Sequence, residues 1–307
     1  QIHHFDHGWI TPTVSFILSV LGSSLGLTSA VRLRAAQTRG ERMWWLILAA
    51  VAIGGTAIWS MHFVAMMGFQ VVGTSIRYHV GLTAASALIA VLAVGVGLAI
   101  ALLGEGARNT RIVIGGVLAG LGVAAMHYTG MAAMQLNGDI SYSATRVGMS
   151  IGIAVVAASV ALWLTITVHK PVAIFVSALV MGVAVNGMHF TGMSAMSVTG
   201  QQPAGPLEGA TASGLLVPIG LAVVFGIIGM AYALMAAPDE EDRAASAYLE
   251  ARRNGLAAAE ATAVSGLRPS PVPQQTSIPR QGPPPAAERG SGLSSGSWTY
   301  RDRSGGR

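Results

Sequence analysis

The stretch Met126–Met134 reads MHYTGMAAM, and closely related stretches occur twice more in the chain. Met188–Met196 reads MHFTGMSAM, and the less similar Met61–Gly68 reads MHFVAMMG. The histidines at their second positions are 65 and then 62 residues apart, which is about the length of two membrane-spanning helices with two short loops. We therefore predict three repeats, each built from a pair of transmembrane helices.

Composition places these repeats in a lipid bilayer. The chain is 52% hydrophobic and only 10% charged, with a mean hydropathy of +0.58, whereas soluble domains carry about 25% charged residues. Seven apolar stretches are long enough to cross the membrane. They cover residues 12–31, 44–67, 81–103, 112–134, 147–168, 171–196 and 214–237. The prediction is an all-α membrane protein with three repeated two-helix units plus one helix.

The basic residues predict the orientation of these helices. Seven lie in the first, third and fifth loops and two in the second, fourth and sixth, which makes the odd loops cytoplasmic. The N-terminus is then outside, the C-terminus inside, and the repeated histidines share one depth near the outer face. The first group is Arg32, Arg34, Arg39, Arg42, Arg108, Arg111 and Lys170, and the second is Arg77 and Arg146. Because membrane orientation explains these arginines, we expect no nucleic-acid partner.

Three segments differ in composition. Residues 1–237 form the membrane domain, and glycine pairs at Gly22/Gly26, Gly116/Gly120 and Gly148/Gly152 are typical of closely packed membrane helices. Residues 238–264 read as a short cytoplasmic helix with acidic residues first and basic residues last. Residues 265–307 are rich in Pro, Ser, Gly and Arg, and we predict that they are disordered. No catalytic domain fits in this tail, and the membrane part lacks paired carboxylates, so we expect no enzymatic activity.

Each repeat aligns a histidine with methionines. Positions i, i+4 and i+7 share one face of a helix, and in the first repeat the third position is Phe69. The methionine before each histidine, at Met61, Met126 and Met188, borders the same site. The aligned sets are His62 with Met66, His127 with Met131 and Met134, and His189 with Met193 and Met196.

Imidazole nitrogen and thioether sulfur together favour copper. The chain has no cysteine, and zinc prefers thiolate or carboxylate beside histidine, so zinc is disfavoured. Haem ligated by His or Met is the alternative cofactor. His4 and His7 at the N-terminus could add ligands, and Asn186 could hydrogen-bond a ligand imidazole. Sequence leaves open whether the three motifs form one site or several, and whether the histidines bind a metal or only join helices.

The chain resembles the MHYT-domain family of bacterial integral membrane sensors. Met126–Thr129 spells the motif that names the family, its variants stand at the other two repeats, and residues 4–9 (HFDHGW) look like the family's start. The similarity covers about residues 1–237. It implies a seven-helix, multi-pass protein of the bacterial inner membrane that senses a diatomic gas (O2, CO or NO) through copper. The implied ligands are His62, His127 and His189 with Met66, Met131 and Met193.

The resemblance also implies a signalling output. Many family members continue into a histidine kinase or into domains that make or break cyclic di-GMP, whereas this chain ends in a short tail. We therefore expect a separate cytoplasmic signalling partner. The rival hypotheses are copper transport or delivery, and a haem-binding membrane protein.

Overall fold

Seven long helices form a bundle in the computed structural model. The structure describes residues 2–3, 8–71, 75–199, 208–238 and 240–266. Each overlaps one of the predicted apolar stretches, and each is long and apolar enough to span a bilayer. The all-α, seven-span prediction is confirmed. In order, the spans are Ile10–Ala35, Arg39–Met67, Val80–Leu103, Arg108–Ala132, Ala144–Thr167, Pro171–Ser194 and Ala212–Ala236.

The second span changes its helical form along its length. It is α-helical over Arg39–Ala50, π-helical over Val51–Ser60, and α-helical again over Met61–Met67. The Ser60 hydroxyl donates a hydrogen bond of 2.8 Å to the carbonyl of Gly55, five residues back. π-Helical turns are rare and frequently mark functional sites. Here the π-helical stretch ends two residues before His62.

Glycines let two pairs of spans approach backbone to backbone. A Cβ on Gly22 would lie 2.5 Å from a backbone nitrogen of the second span, and a Cβ on Gly120 would lie 2.5 Å from a Cα of the fifth. The predicted contacts at Gly22/Gly26 and Gly116/Gly120 are therefore present. The third pair differs, because Gly148 and Gly152 have no atom of another helix within 4 Å of an added Cβ.

Short antiparallel strands join the loops at the end of the bundle where the repeated motifs lie. They were not predicted, because each is only two to four residues long. Strand β1 pairs with β2, β3 pairs with both β4 and β7, and β5 pairs with β6. The bounds are Ile2–His3 (β1), Gln70–Val71 (β2), Arg77–Tyr78 (β3), Met134–Gln135 (β4), Asp139–Tyr142 (β5), Met196–Thr199 (β6) and Ala210–Thr211 (β7).

Two helix ends differ from the prediction because of these strands. The fourth span ends at Ala132 and the sixth at Ser194, so Met134 and Met196 are not on the helices that carry their histidines. Instead Met134 pairs with Tyr78 and Met196 pairs with Tyr142. Ladder hydrogen bonds to a neighbouring strand replace the last helical hydrogen bonds. The i+7 positions are therefore placed by strand pairing.

The residues after the seventh span form a separate unit, Asp239–Arg307. It contains a helix over Glu240–Gly266. The predicted disorder of 265–307 stays a prediction, since residues 267–307 lie outside the described part of the chain.

We expect Gly120→Ala to destabilise the bundle. Its Cβ would meet the backbone of the fifth span at 2.5 Å, and overpacking of this kind costs about 1–3 kcal/mol. The unfolding temperature of the detergent-solubilised protein should fall. Gly148→Ala is the matched control, because it meets nothing within 4 Å and gains helix propensity. Equal unfolding temperatures for the two variants would contradict the close packing.

The orientation can be tested directly because the chain has no cysteine. With the odd loops cytoplasmic, a membrane-impermeant maleimide should label Asp139→Cys in intact cells. Glu105→Cys, between the third and fourth spans, should react only after lysis. The reverse pattern would show that the N-terminus is inside.

Candidate metal centre

The three repeated histidines lie together in the bundle. His62 Nδ1 is 2.9 Å from His189 Nδ1 and 3.1 Å from His127 Nδ1. The ring centroids are separated by 4.8–5.2 Å, and the rings meet edge to face. At most 2% of each residue is exposed. The second, fourth and sixth spans therefore deliver their histidines to one buried site.

Without a cation, this arrangement leaves imidazole nitrogens unsatisfied. Each neutral imidazole nitrogen carries either one proton or one lone pair. His62 Nδ1 faces two other nitrogens, so it cannot form a full hydrogen bond with both. The Nε2 atoms of all three rings are also buried and have no hydrogen-bond partner. A cation bound by the three Nδ1 lone pairs removes the conflict at the centre of the cluster.

Two sides of the nitrogen triangle are close to the spacing that a metal ion requires, and the candidate ligand atoms of the three histidines all lie within 4.8 Å of one another. Metal–imidazole bonds of about 2.0–2.1 Å place neighbouring ligand nitrogens about 3.3–3.6 Å apart. The two short Nδ1 separations, 2.9 and 3.1 Å, are within a few tenths of an ångström of that range. Among the described residues, these histidines form the one group of three or more His, Asp or Glu side chains close enough to share an ion.

Two glycines provide the space for the imidazole rings. A Cβ on Gly130 would lie 2.3 Å from His62 Nε2, and a Cβ on Gly192 would lie 2.2 Å from His127 Nε2. Each ring thus packs on the backbone of the next repeat, three residues after that repeat's own histidine. Sequence reasoning missed these residues, although the Thr-Gly pair repeats in both motifs; the first repeat has Ala65 at this position.

Methionines lie on both sides of the histidines, and every predicted methionine is buried. One cluster, which we call the cover cluster, lies at the strand-bearing end and includes Phe69 and Tyr78. Its methionines are Met66, Met131, Met134, Met193 and Met196. The methionines that precede the histidines, Met61, Met126 and Met188, are 1–2% exposed. Met126 and Met188 belong to the main core of the bundle. Met134 and Met196 thus join the predicted group although they lie on strands.

The cover cluster separates the histidines from the loops. Tyr78 of strand β3 is 2% exposed, and burial raises the pKa of its phenol to about 12. This phenol is therefore uncharged throughout the physiological pH range. Val71, Ile76 and Ile140 from the same loops pack against the cluster. The result is an apolar layer over the imidazoles at this end.

Other predicted residues lie elsewhere. The Asn186 amide donates hydrogen bonds to Ser19 Oγ (3.2 Å) and to the carbonyl of Gly182 (2.8 Å). The predicted hydrogen bond from Asn186 to a ligand histidine is therefore not formed, because its amide group joins the sixth span to the first. His4 and His7 lie outside the described residues.

Gly192→Ala should disturb the histidine cluster. The new Cβ would lie 2.2 Å from His127 Nε2, so the ring must move away from the other two imidazoles. We expect the affinity of the purified protein for added copper(I) to fall at least tenfold in a competition assay with a chelator. Gly187→Ala, on the same helix with open space around it, should bind like the wild type. Unchanged copper affinity in Gly192→Ala would show that the space at Gly192 does not position the His127 ring.

The repeats match a known family. Residues 55–116 and 120–178 match MHYT, described as "Bacterial signalling protein N terminal repeat". These segments contain His62 and His127. No solved structure matches the chain.

Three curated bacterial proteins are similar to this chain over part of its length. The bifunctional diguanylate cyclase/cyclic di-GMP phosphodiesterase MucR of Pseudomonas aeruginosa is 40% identical over 206 residues, which cover 66% of this chain and 29% of that protein. The cyclic di-GMP phosphodiesterase NbdA of the same species is 36% identical, over 53% of this chain and 21% of that protein. Signaling protein YkoW of Bacillus subtilis is 35% identical, over 49% of this chain and 19% of that protein.

The chain spans less than a third of the length of each of these relatives. With seven apolar spans and two matched repeats, this chain belongs to the MHYT family of multi-pass sensory proteins of the bacterial inner membrane.

Proposed function

We propose that this protein is a copper-binding sensory module that responds to a diatomic gas, such as O2, CO or NO, and signals to a separate cytoplasmic partner. The observation that supports the proposal is the convergence of three buried imidazole nitrogens, 2.9 and 3.1 Å apart in the two close pairs. An ionisable cluster inside a membrane domain is costly, and such clusters are usually functional.

The residues suit copper in its reduced state. His62, His127 and His189 would hold the ion through Nδ1, and Met66, Met131 and Met193, one helical turn beyond the histidines, would add soft thioether sulfur. Neutral ligands of this kind favour Cu(I) in a buried apolar site. When bound, copper supplies a coordination position that a diatomic molecule can occupy. The apolar cover cluster keeps bulk water away from the histidines at this end.

The surroundings of the site favour sensing over transport. A permeation path needs ligands or polar groups that continue across the bundle. On the side away from the cover cluster, the described residues one turn before the histidines are Ile58, Val123 and Val185. These side chains offer an ion no ligand.

The same geometry disfavours haem. A haem iron takes axial ligands on opposite faces of a flat macrocycle. Three imidazoles whose centroids are 4.8–5.2 Å apart leave no slot for that macrocycle between them.

The names of two relatives support a signalling output that involves cyclic di-GMP. MucR and NbdA are named as enzymes that make or degrade cyclic di-GMP. We infer that the cytoplasmic partner of this chain belongs to the same signalling system. A change at the histidines would alter the packing of the second, fourth and sixth spans, which begin beside the loops that carry most of the basic residues of the membrane part.

The double variant His127→Ala/His189→Ala should lose copper. Removing two of three imidazoles leaves one nitrogen ligand, so we expect elemental analysis of the purified protein to fall from near-integral copper content to background. His169→Ala is the matched control, because His169 is exposed and its imidazole contacts the carbonyl of Thr167.

Copper content that stays the same in the double variant would refute histidine ligation. X-ray absorption with mixed nitrogen and sulfur scattering would support the donor set, whereas a Soret band would identify haem instead. Copper uptake into proteoliposomes would favour transport.

A further inference from the structure

A cavity of about 60 Å³ lies inside the bundle, among the first six spans. By the same measure, a single water molecule needs about 10–15 Å³. The walls at the first to fourth spans are fully buried side chains, such as Leu98 and Val123. On the fifth and sixth spans they are largely alanines, including Ala157 and Ala184. These small side chains fill less of the space between the helices than larger ones would.

The cavity lies directly beneath the histidine cluster. Ile58, Val123 and Val185 all line it, and each stands four residues before one of the three histidines. Residues four apart share one face of a helix. Met188, the residue before His189, lines the cavity as well. The space is therefore about one helical turn from the imidazoles, on the side opposite the cover cluster.

The lining makes this cavity unsuitable for water. Ser23 and Thr165 are its only hydroxyl-bearing lining residues. The Thr165 hydroxyl already donates to the carbonyl of Leu162 at 2.7 Å, which leaves Ser23 Oγ as the buried group without a partner. A buried water typically makes about three hydrogen bonds. Enclosed apolar cavities instead stay dry and take up small apolar molecules such as xenon.

A lipid-facing groove leads towards this cavity. It has a volume of about 420 Å³ and lies between the fifth and sixth spans, lined by apolar residues that include the exposed Val156 and Val180. Ala157, Met181 and Ala184 line both the groove and the cavity. The two spaces are thus separated by three side chains, two of them methyl groups. Small apolar molecules are more concentrated in a bilayer than in water, so the groove faces the richer source.

We propose that the cavity binds a small, uncharged, apolar molecule, of the size of a diatomic gas, which enters from the bilayer between the fifth and sixth spans. The bound molecule lies next to the histidine cluster without crossing the cover cluster. That this molecule is the sensed signal rests on the proposed function, whereas the binding site does not.

Xenon tests the site without any metal. The metal-free full chain in lipid nanodiscs is studied by 129Xe NMR with saturation transfer, which separates protein-bound xenon from xenon dissolved in lipid. We expect a bound resonance in the wild type, and we expect Ala184→Leu to abolish it by filling the cavity. Val183→Leu is the matched control, because the neighbouring Val183 is 63% exposed towards lipid, and it should retain the resonance.

Two further variants guard against misfolding. Ala157→Leu fills the cavity from the other helix and should also abolish binding. Met181→Ala enlarges the cavity and opens the passage to the groove, so bound xenon at fixed pressure should rise about twofold or more. No bound xenon in both the wild type and Met181→Ala would overturn the proposal. So would a bound resonance that survives both filling variants in folded protein.

The outcomes for the cavity and for copper are independent. Xenon binding that persists in His127→Ala/His189→Ala would leave the cavity established even if no copper is found in the wild type. Normal copper content without bound xenon would leave the proposed function in place and remove this entry route.

Discussion

Three imidazoles in mutual contact, buried in an apolar bundle, are the constraint on which the rest of this structure depends. Nitrogens 2.9–3.1 Å apart cannot all be satisfied by one another. They therefore have to be held in place by surrounding packing. Three features supply this packing. They are the glycines on the fourth and sixth spans that border the imidazole rings, the methionines on both sides of the histidines, and the strands at one end of the bundle. The two glycines, and the methionines one residue before and four residues after the histidines, lie within about one helical turn of a histidine.

The repeats make the site approximately threefold, but the first repeat departs from the pattern. It has Ala65 where the others have glycine, Phe69 where the others have Met134 and Met196, and a π-helical stretch before its histidine. His62 is also the ring whose Nδ1 contacts both of the others. The least regular repeat thus supplies the central imidazole of the cluster. The two regular repeats supply the glycines against which the rings of His62 and His127 pack.

Much of this architecture was predictable from sequence, because hydropathy and the repeated motif are strong signals. The seven spans follow from composition, and the i+4 spacing placed Met131 and Met193 on the helices of His127 and His189, where both methionines are buried. That the three motifs converge on one site was not predictable. Histidines at the same depth in the membrane can lie in one shared site or in separate sites. The ends of the fourth and sixth spans were misplaced because strand β4 has two residues and strand β6 four, too few for a period-two pattern. Asn186 was misassigned because its neighbour on the first span, Ser19, is 167 residues away in sequence.

The π-helical stretch has a consequence for the thickness of the protein. His62 is the 24th residue of its span, whereas His127 is the 20th and His189 the 19th of theirs. At about 1.5 Å per residue, the four extra α-helical residues relative to His127 and five relative to His189 would carry His62 about 6–8 Å past the other two. A π-helix has hydrogen bonds between residues five apart, and it places more residues in each unit of length than an α-helix does. The π-helical stretch therefore takes up part of the extra length of the second span. The longest span can then match the same hydrocarbon thickness as its neighbours with less tilt.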